Sequence, residues 1–384
     1  VAIRNQLGRE SPIHADLCRP AKHPVSRSGY NRGVDNHYLV HGSDLAILSL
    51  GGSSPDPLLP MGRYGYDITI IHCHDESDDD VIRLGLCCGF RDEPIKFATT
   101  TAAAIGRMTR PLALAKLSDL CLANADALLE ALKFCVQHQI GCFRINSQIL
   151  PIKTHPAVGY DISDLPDSNT IVERFRESKT FSDQHQLRTC FHPDQFVVLN
   201  SQRPEVVEAS IRELEYQAEV AEWIGADVIN IHGGGAFGDK ATATVDFAKS
   251  LDRLSSRVRD RLTVENDDKI FAPADLLPVC RATGIPLVYD VHHHRCHRDN
   301  LSESAATELA IKTWNREPLF HISSPLEGWS GPKPARHHDF IDIKDFPDCW
   351  RHQQLTVEVE AKAKELAVIK LKNDLKQTST RNSR

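Results

Sequence analysis

Seven side chains of the kind that bind metal ions fall at or just past the ends of short apolar runs, and an eighth lies in a loop between two of them. His192 closes the run Leu187–His192, His232 the run Asp227–His232, and Glu265 the run Arg261–Glu265. Asp290 lies at the end of Leu287–Val291 with His293 three residues on, His321 lies in Leu319–Ile322, and Glu360 closes Leu355–Glu360. His338 falls between the last two runs. A single histidine in such a place is more often a hydrogen-bonded loop residue than a ligand, and a lone glutamate such as Glu265 could pair with an arginine. As a set they resist that reading, because Glu265, Asp290 and Glu360 buried together would be costly unless cations neutralised them. The set is imidazole and carboxylate without thiolate, which suits Mn, Zn, Fe or Co over softer metals. The spacing Asp290-x-x-His293 can present a carboxylate to one metal and an imidazole to its neighbour. Several cations in one mouth suit phosphodiester hydrolysis, one activating water and the others steadying the attacking and leaving oxygens. Glu265, midway in the order, is the candidate bridge between them. Gly233-Gly234-Gly235 after His232 lets a backbone approach a ligand closely, or makes only a tight loop.

For these residues to meet, the runs that carry them must be strands pointing the same way. Strand patterns fall at Val81–Leu86, Ile140–Ile145, Leu187–His192, Asp227–His232, Arg261–Glu265, Leu287–Val291, Leu319–Ile322 and Leu355–Glu360. Helical spacing of apolar residues falls between them, at Leu112–His138, Pro204–Ile224, Thr242–Arg259, Pro273–Ala282 and Ser302–Trp314. The class is α/β, and eight strands alternating with helices predict a (β/α)₈ TIM barrel, in which every strand C-terminus opens on one mouth. An open doubly wound sheet is the alternative. No G-x-G-x-x-G follows the first strand, which weighs against it. The link before the last strand is long and has little helical pattern.

This alternating texture begins at Val81. Residues 1–80 are rich in Gly, Pro, Ser, Asp and Arg and end in an acidic run over Asp75–Asp80, so they read as a disordered N-terminal extension. The barrel is expected over 81–375. The Lys-rich stretch Lys362–Lys376 reads as an amphipathic last helix and 376–384 as a polar tail.

Composition excludes several classes. No apolar run approaches the length of a membrane span, and the start has no signal-peptide pattern, so a cytoplasmic protein with no membrane partner is expected. Eleven cysteines, without a C-x-x-C pair, argue against a disulfide framework or a thiolate zinc site and for packed, reduced thiols. A formal charge of −7 argues against coating nucleic acid through bulk charge, while leaving room for a local basic groove.

Ten segments together carry a resemblance to a known family. They are Ile82-Arg83-Leu84-Gly85, Phe143-Arg144-Ile145, Thr154-His155-Pro156, His192-Pro193-Asp194-Gln195-Phe196, Asn230-Ile231-His232-Gly233-Gly234, Val264-Glu265-Asn266-Asp267, Asp290-Val291-His292-His293, His321-Ile322-Ser323-Ser324, His337-His338-Asp339-Phe340 and Val359-Glu360-Ala361-Lys362. In order and spacing the chain resembles the UV damage endonucleases, relatives of endonuclease IV among the xylose-isomerase-like barrels. The resemblance implies a monomer acting on damaged double-stranded DNA with three divalent metal ions, Mn²⁺ foremost and Zn²⁺ or Co²⁺ as alternatives. It implies incision immediately 5′ to UV photoproducts and other distorting lesions, leaving 3′-hydroxyl and 5′-phosphate ends. Carried over by position, His192, His232 and Glu265 would hold one metal, and Glu265, Asp290, His321 and Glu360 the second. His293 and His338 would hold the third, and His155 would sit by the scissile phosphate with Glu265 as the central catalytic carboxylate. Gln195 and Phe196 match the family's probing pair, which enters the duplex where damage has loosened stacking; a damaged dinucleotide costs less to unstack. On the residues alone, Phe196 in Phe-Val-Val-Leu reads as a core aromatic.

Three positions depart from the family pattern: Leu86 and Phe196 where tyrosine is frequent, and Leu319 where some members have lysine. DNA phosphates are expected to meet Arg144, Lys153, Lys240, Lys269, Arg295 and Lys362 on loops of the mouth. The competing readings are an abasic-site endonuclease with the same chemistry, a sugar isomerase on the same barrel and a non-catalytic binding barrel.

Overall fold

A computed structural model of the chain describes residues 82–382, together with two three-residue strands, His37–Leu39 and Ile47–Ser49, that pair antiparallel. The rest of the expected extension 1–80 lies outside the described residues. Over 82–382 the eight strands are β1 (Ile82–Cys87), β2 (Cys142–Ile145), β3 (Arg188–Phe191), β4 (Val228–His232), β5 (Leu262–Glu265), β6 (Leu287–Val288), β7 (Leu319–Ile322) and β8 (Leu355–Val359). They form one parallel sheet in the order β6-β5-β4-β3-β2-β1-β8-β7. A parallel bridge between Asp290 and His321 brings its two edges together as a barrel.

Alternation along each strand builds two separate cores. In β8, Leu355, Val357 and Val359 face outward into the large apolar layer under the helices. The intervening positions face the axis, where Cys142, Cys190, Val228, Val288 and Leu319 form a small apolar plug of their own. Leu86 is fully buried in the outer layer, so its departure from the family pattern bears on packing and not on the mouth.

The longer helices are α1 (Arg110–Gln137), α2 (Ser168–Gln184), α3 (Pro204–Ile224), α4 (Lys240–Leu251), α5 (Pro273–Thr283), α6 (Val291–Cys296), α7 (Glu303–Ile311) and α8 (Glu365–Asn382). Pro204 at the start of α3 and Gly225 in the left-handed region at φ 83° explain why the sequence delimits that helix so well. The helix expected over Thr242–Arg259 is broken in two, with a separate turn at Ser256–Arg259. α2 has no obvious apolar stripe: Ile171 and Phe175 share its buried face with Ser178 and Ser182. α8 continues to Asn382, past the boundary expected at 375. None of the described helices is long and apolar enough to cross a membrane.

The departure that matters for the site is at β6. The strand stops at Val288, and Asp290 caps a new helix by accepting the backbone N–H of His293 at 2.7 Å. Aspartate is a preferred N-cap, which ends the strand before the run of apolar residues does. His293 therefore stands on the first turn of α6, over the barrel mouth. The nine cysteines among the described residues are all free thiols.

Candidate metal centre

The C-terminal ends of β3 to β8 bring seven of the eight expected ligands into one cluster. Glu265 lies at its middle, fully buried. Its Oε2 is 2.9 Å from His192 Nε2 and accepts the Asn230 amide at 2.6 Å. Its Oε1 faces His321 Nδ1 at 3.1 Å and His293 Nδ1 at 3.2 Å. Asp290 Oδ2 lies 3.5 Å from His293 Nδ1 and 4.0 Å from His321 Nδ1, and Glu360 Oε1 lies 3.4 Å from His321 Nδ1. Three groupings of ligand atoms result, each within 4.8 Å: His192, His232 and Glu265; His192, His321 and Glu360; and Glu265, Asp290 and His293. Glu265 thus sends one oxygen toward each of two neighbouring groups.

The donor set fits divalent cations. His232 Nδ1, Glu265 Oε1, Asp290 Oδ2 and His321 Nδ1 are buried without a hydrogen-bond partner. Such atoms are rare in folded proteins, because each forfeits its hydration without compensation. Here four of them belong to one cluster. Electrostatics point the same way. Burial pushes the Glu265 carboxyl up, but the imidazoles of His321 and His232 outweigh that and hold it well below the usual carboxylate range. Burial lowers His321, but the Glu265 carboxylate outweighs it and drives the imidazole up to about 10. Burial dominates at His232, whose imidazole is lowered. The Glu265 carboxylate therefore stays ionised and draws positive charge to itself.

Outer contacts fix several of these rings. His192 Nδ1 lies 3.1 Å from the Pro193 carbonyl, leaving Nε2 for the cluster. Asn266 holds the Asp290 backbone through both its amide atoms, at 2.9 and 3.0 Å. Of the three consecutive histidines, only His293 enters the cluster. His292 is buried against the Ser323 carbonyl at 3.2 Å, and His294 bridges Tyr289 Oη at 2.8 Å and Asp299 at 3.0 Å.

Several expected site residues lie elsewhere. His338 accepts the Phe340 backbone N–H at 2.9 Å and joins none of the groupings found among the described residues. Its neighbour His337 is the nearer ring, with Nδ1 3.7 Å from Glu360 and its centroid 6.3 Å from that of His293. His155 accepts the backbone N–H groups of Ala157 and Val158 and lines an open cavity of about 840 Å³ against α3, with Lys153 and Arg257. Arg144 is not a loop residue: it faces the barrel axis from β2, 6% exposed, and pairs with Glu358 at 2.5 Å and Glu360 at 2.6 Å. Arg295 pairs with Glu303 at 2.7 Å, Lys153 reaches the Tyr160 carbonyl at 3.1 Å, and Lys240 pairs with Asp275 at 2.8 Å. Arg144, Arg295 and Lys153 are held against their own fold and do not project as loop residues, whereas Lys240 stays partly exposed in a surface pair. Lys269 and Lys362 are exposed.

Phe196 is 77% exposed and Gln195 is exposed beside it, on the loop that follows β3. The core reading of Phe196 is therefore wrong. Phe237, on the loop after β4, is 45% exposed as well. Sequence reasoning passed over Glu358. The signal was available: in a strand of period two, Glu358 shares the inward face of Glu360.

The sequence pattern of the UV-endonuclease UvdE family matches residues 82–383. Similar curated proteins include a UV DNA damage endonuclease of Bacillus cereus (strain Q1), 32% identical over 271 residues, which are 68% of this chain and 83% of that protein. One from Bacillus mycoides (strain KBAB4) is 31% identical over 267 residues, 67% of this chain and 82% of that protein. Among solved structures, the crystal structure of SacUVDE superposes with a TM-score of 0.69 at 28% identity, covering 78% of this chain and 99% of that one. Endonuclease IV from Thermus thermophilus shares the fold, with a TM-score of 0.52 at 15% identity over 78% of this chain and 99% of that one.

Proposed function

The chain belongs to the UV-endonuclease UvdE family, and from that premise we propose that it is a metal-dependent DNA repair endonuclease. It nicks duplex DNA immediately 5′ to UV photoproducts and other distorting lesions, leaving 3′-hydroxyl and 5′-phosphate ends. The observation that carries the reading is the set of unpartnered, buried donor atoms on His232, Glu265, Asp290 and His321 at one barrel mouth. His192, His232 and Glu265 would hold one divalent cation, and Glu265, Asp290, His321 and Glu360 a second. His293, with an imidazole of the 337–338 pair, would hold a third. Mn²⁺ suits the oxygen- and nitrogen-rich set, with Zn²⁺ and Co²⁺ as competitors. Such cations supply Lewis-acid polarisation of a phosphodiester and activation of water.

The protein's own part is to hold and to discriminate. Glu265 keeps its two oxygens turned to different groups, which fixes the spacing of the centre. Asp290, anchored by Asn266, holds its carboxylate still while capping α6. Phe196 and Gln195 supply a planar ring and an amide that can fill the gap where a lesion has weakened stacking. Exposed Lys269 and Lys362 are the candidates for phosphate contacts, positioning the duplex without reading bases.

The decisive experiment incubates the purified chain with Mn²⁺ and a duplex carrying one defined photoproduct, then maps the cut and its ends. A single nick at the 5′ side of the lesion, lost on chelation and absent from undamaged duplex, is expected. Cutting restricted to abasic duplex, or none with any divalent metal, would overturn the proposal.

A further inference from the structure

Resting on the reading of the mouth as a metal centre, we propose that Glu358 is its positioning residue: its carboxylate takes the Nε2–H of His321, so that Nδ1 presents a lone pair to the cation, and through Arg144 it sets the orientation of Glu360. Glu358 lies one inward position below Glu360 on β8 and level with His321 in the ladder between β8 and β7. It is 1% exposed. Oε2 lies 2.8 Å from His321 Nε2, 2.5 Å from Arg144 Nη2 and 2.8 Å from Arg144 Nε. Oε1 accepts the Cys190 thiol at 2.9 Å. Arg144 then reaches Glu360 Oε1 through Nη1 at 2.6 Å.

These contacts fix the imidazole tautomer. Arg144 Nη2 is also 3.0 Å from His321 Nε2, but a guanidinium nitrogen carries hydrogens and accepts none. Were Nε2 to accept from that guanidinium, its lone pair would face the Glu358 carboxylate oxygen at 2.8 Å, so both nitrogens direct a hydrogen to that oxygen. Nε2 keeps its hydrogen on the carboxylate, and Nδ1 is the nitrogen that would give up its own to a bound cation. Nδ1 is the atom buried without a partner, 3.1 Å from Glu265 Oε1. His192 solves the same problem with the Pro193 carbonyl; His321 uses a full carboxylate, which also makes the ring a stronger donor. The fold leaves room for it. A Cβ on Gly85, on the neighbouring strand, would come within 3.2 Å of Glu358 Cγ. A purely structural role explains this poorly, since a buried ion pair can often be exchanged for apolar groups of equal volume without loss of stability. What apolar groups cannot do is choose a tautomer.

The test is a calorimetric Mn²⁺ titration of the full chain as wild type, Glu265→Gln, Glu358→Gln and Glu358→Met, with thermal unfolding to report whether each is folded. Glu358→Met keeps the volume and loses the acceptor; it is expected to weaken Mn²⁺ binding by about ten- to a hundredfold and to lower nicking kcat while KM for damaged DNA holds. Glu358→Gln keeps an oxygen opposite Nε2 and should lose less. A folded Glu358→Met variant with wild-type affinity overturns the role of Glu358 and leaves the metal centre standing. A wild type that binds no Mn²⁺ removes the centre itself. Should Glu358→Met fail to fold, ring ¹⁵N shifts of His321 in the wild type with Zn²⁺ as a diamagnetic probe decide the matter. Protonated Nε2 with coordinated Nδ1 is expected, and the reverse assignment overturns the proposal.

Discussion

The two oxygens of Glu265 do different work. Oε2 is held by the Asn230 amide and turned to His192, while Oε1 is left bare between His321 and His293. Replacing Glu265 by glutamine keeps the shape and the Asn230 contact but puts a neutral amide where two groups of ligands need charge. Loss of an outer contact at a metal site costs about 10–100-fold, so loss of this shared carboxylate should exceed about a hundredfold in nicking. A Glu265→Gln variant that nicks at the wild-type rate would remove it as the bridge. Phe196 acts on a different quantity. A stacked base is worth about 1–3 kcal/mol on an aromatic platform, so Phe196→Ala should cost about tenfold in binding to lesion duplex and little on undamaged duplex. Parallel binding curves on the two substrates test this, and an unchanged preference for damage argues against the probe.

At the scale of elements, the centre depends on how α6 is seated. That short helix carries His293, and a buried Tyr289–His294–Asp299 chain holds it from behind at 2.8 and 3.0 Å. Asp299 also accepts the N–H groups of Ala274, at the start of α5, and Leu301, each at 2.7 Å. Asp299→Ala should therefore cost about 2 kcal/mol of stability and loosen Mn²⁺ binding, read by urea unfolding and by metal titration. Destabilisation with unchanged metal affinity would show that α6 keeps its place without this chain. The same segment shows what the sequence could and could not convey. β7 and α3 fell where hydrophobic period and end signals agreed. The β6–α6 junction did not, because Asp290 ends the strand while the apolar run continues to Val291. α2 went unread because its buried face is half serine. The convergence of seven candidate ligands was legible since strand ends in a parallel barrel share one mouth. Side-chain direction was not: Arg144 and Glu358 point inward by strand alternation, and which of His337 and His338 approaches the cluster depends on a loop with no period.

Across the whole barrel, charge is concentrated at both ends, with the thin plug of Cys142, Cys190, Val228, Val288 and Leu319 between them. Leu319 belongs to that plug, so its departure from lysine is a packing choice in this chain. At the end away from the mouth, Arg83 pairs with Glu317 at 2.9 Å and Arg188 with Asp227 at 2.9 Å, and Thr356 donates to Glu317 at 2.5 Å. Arg83 and Thr356 join β1 and β8 to the segment leading into β7, tying together strands far apart in the chain, while Arg188 joins β3 to the segment leading into β4. Burial pushes the Glu317 carboxyl up, but the hydrogen bonds from Arg83 and Thr356 outweigh it and hold it below its ordinary value near 4.5. A group depressed in the folded state contributes stability that is fully present above its unfolded value and is lost as pH falls through the folded one. Metal-free protein should thus lose stability on acidification below a pH of about 4.5 in part through Glu317. Glu317→Gln is expected to be less stable than wild type by about 1–2 kcal/mol at neutral pH and to converge with it in acid. Urea unfolding of both proteins in the presence of a chelator, from neutral pH downward, measures the gap. The barrel mouth is the same in both proteins and cancels, so a gap that stays constant with pH would detach Glu317 from the acid response.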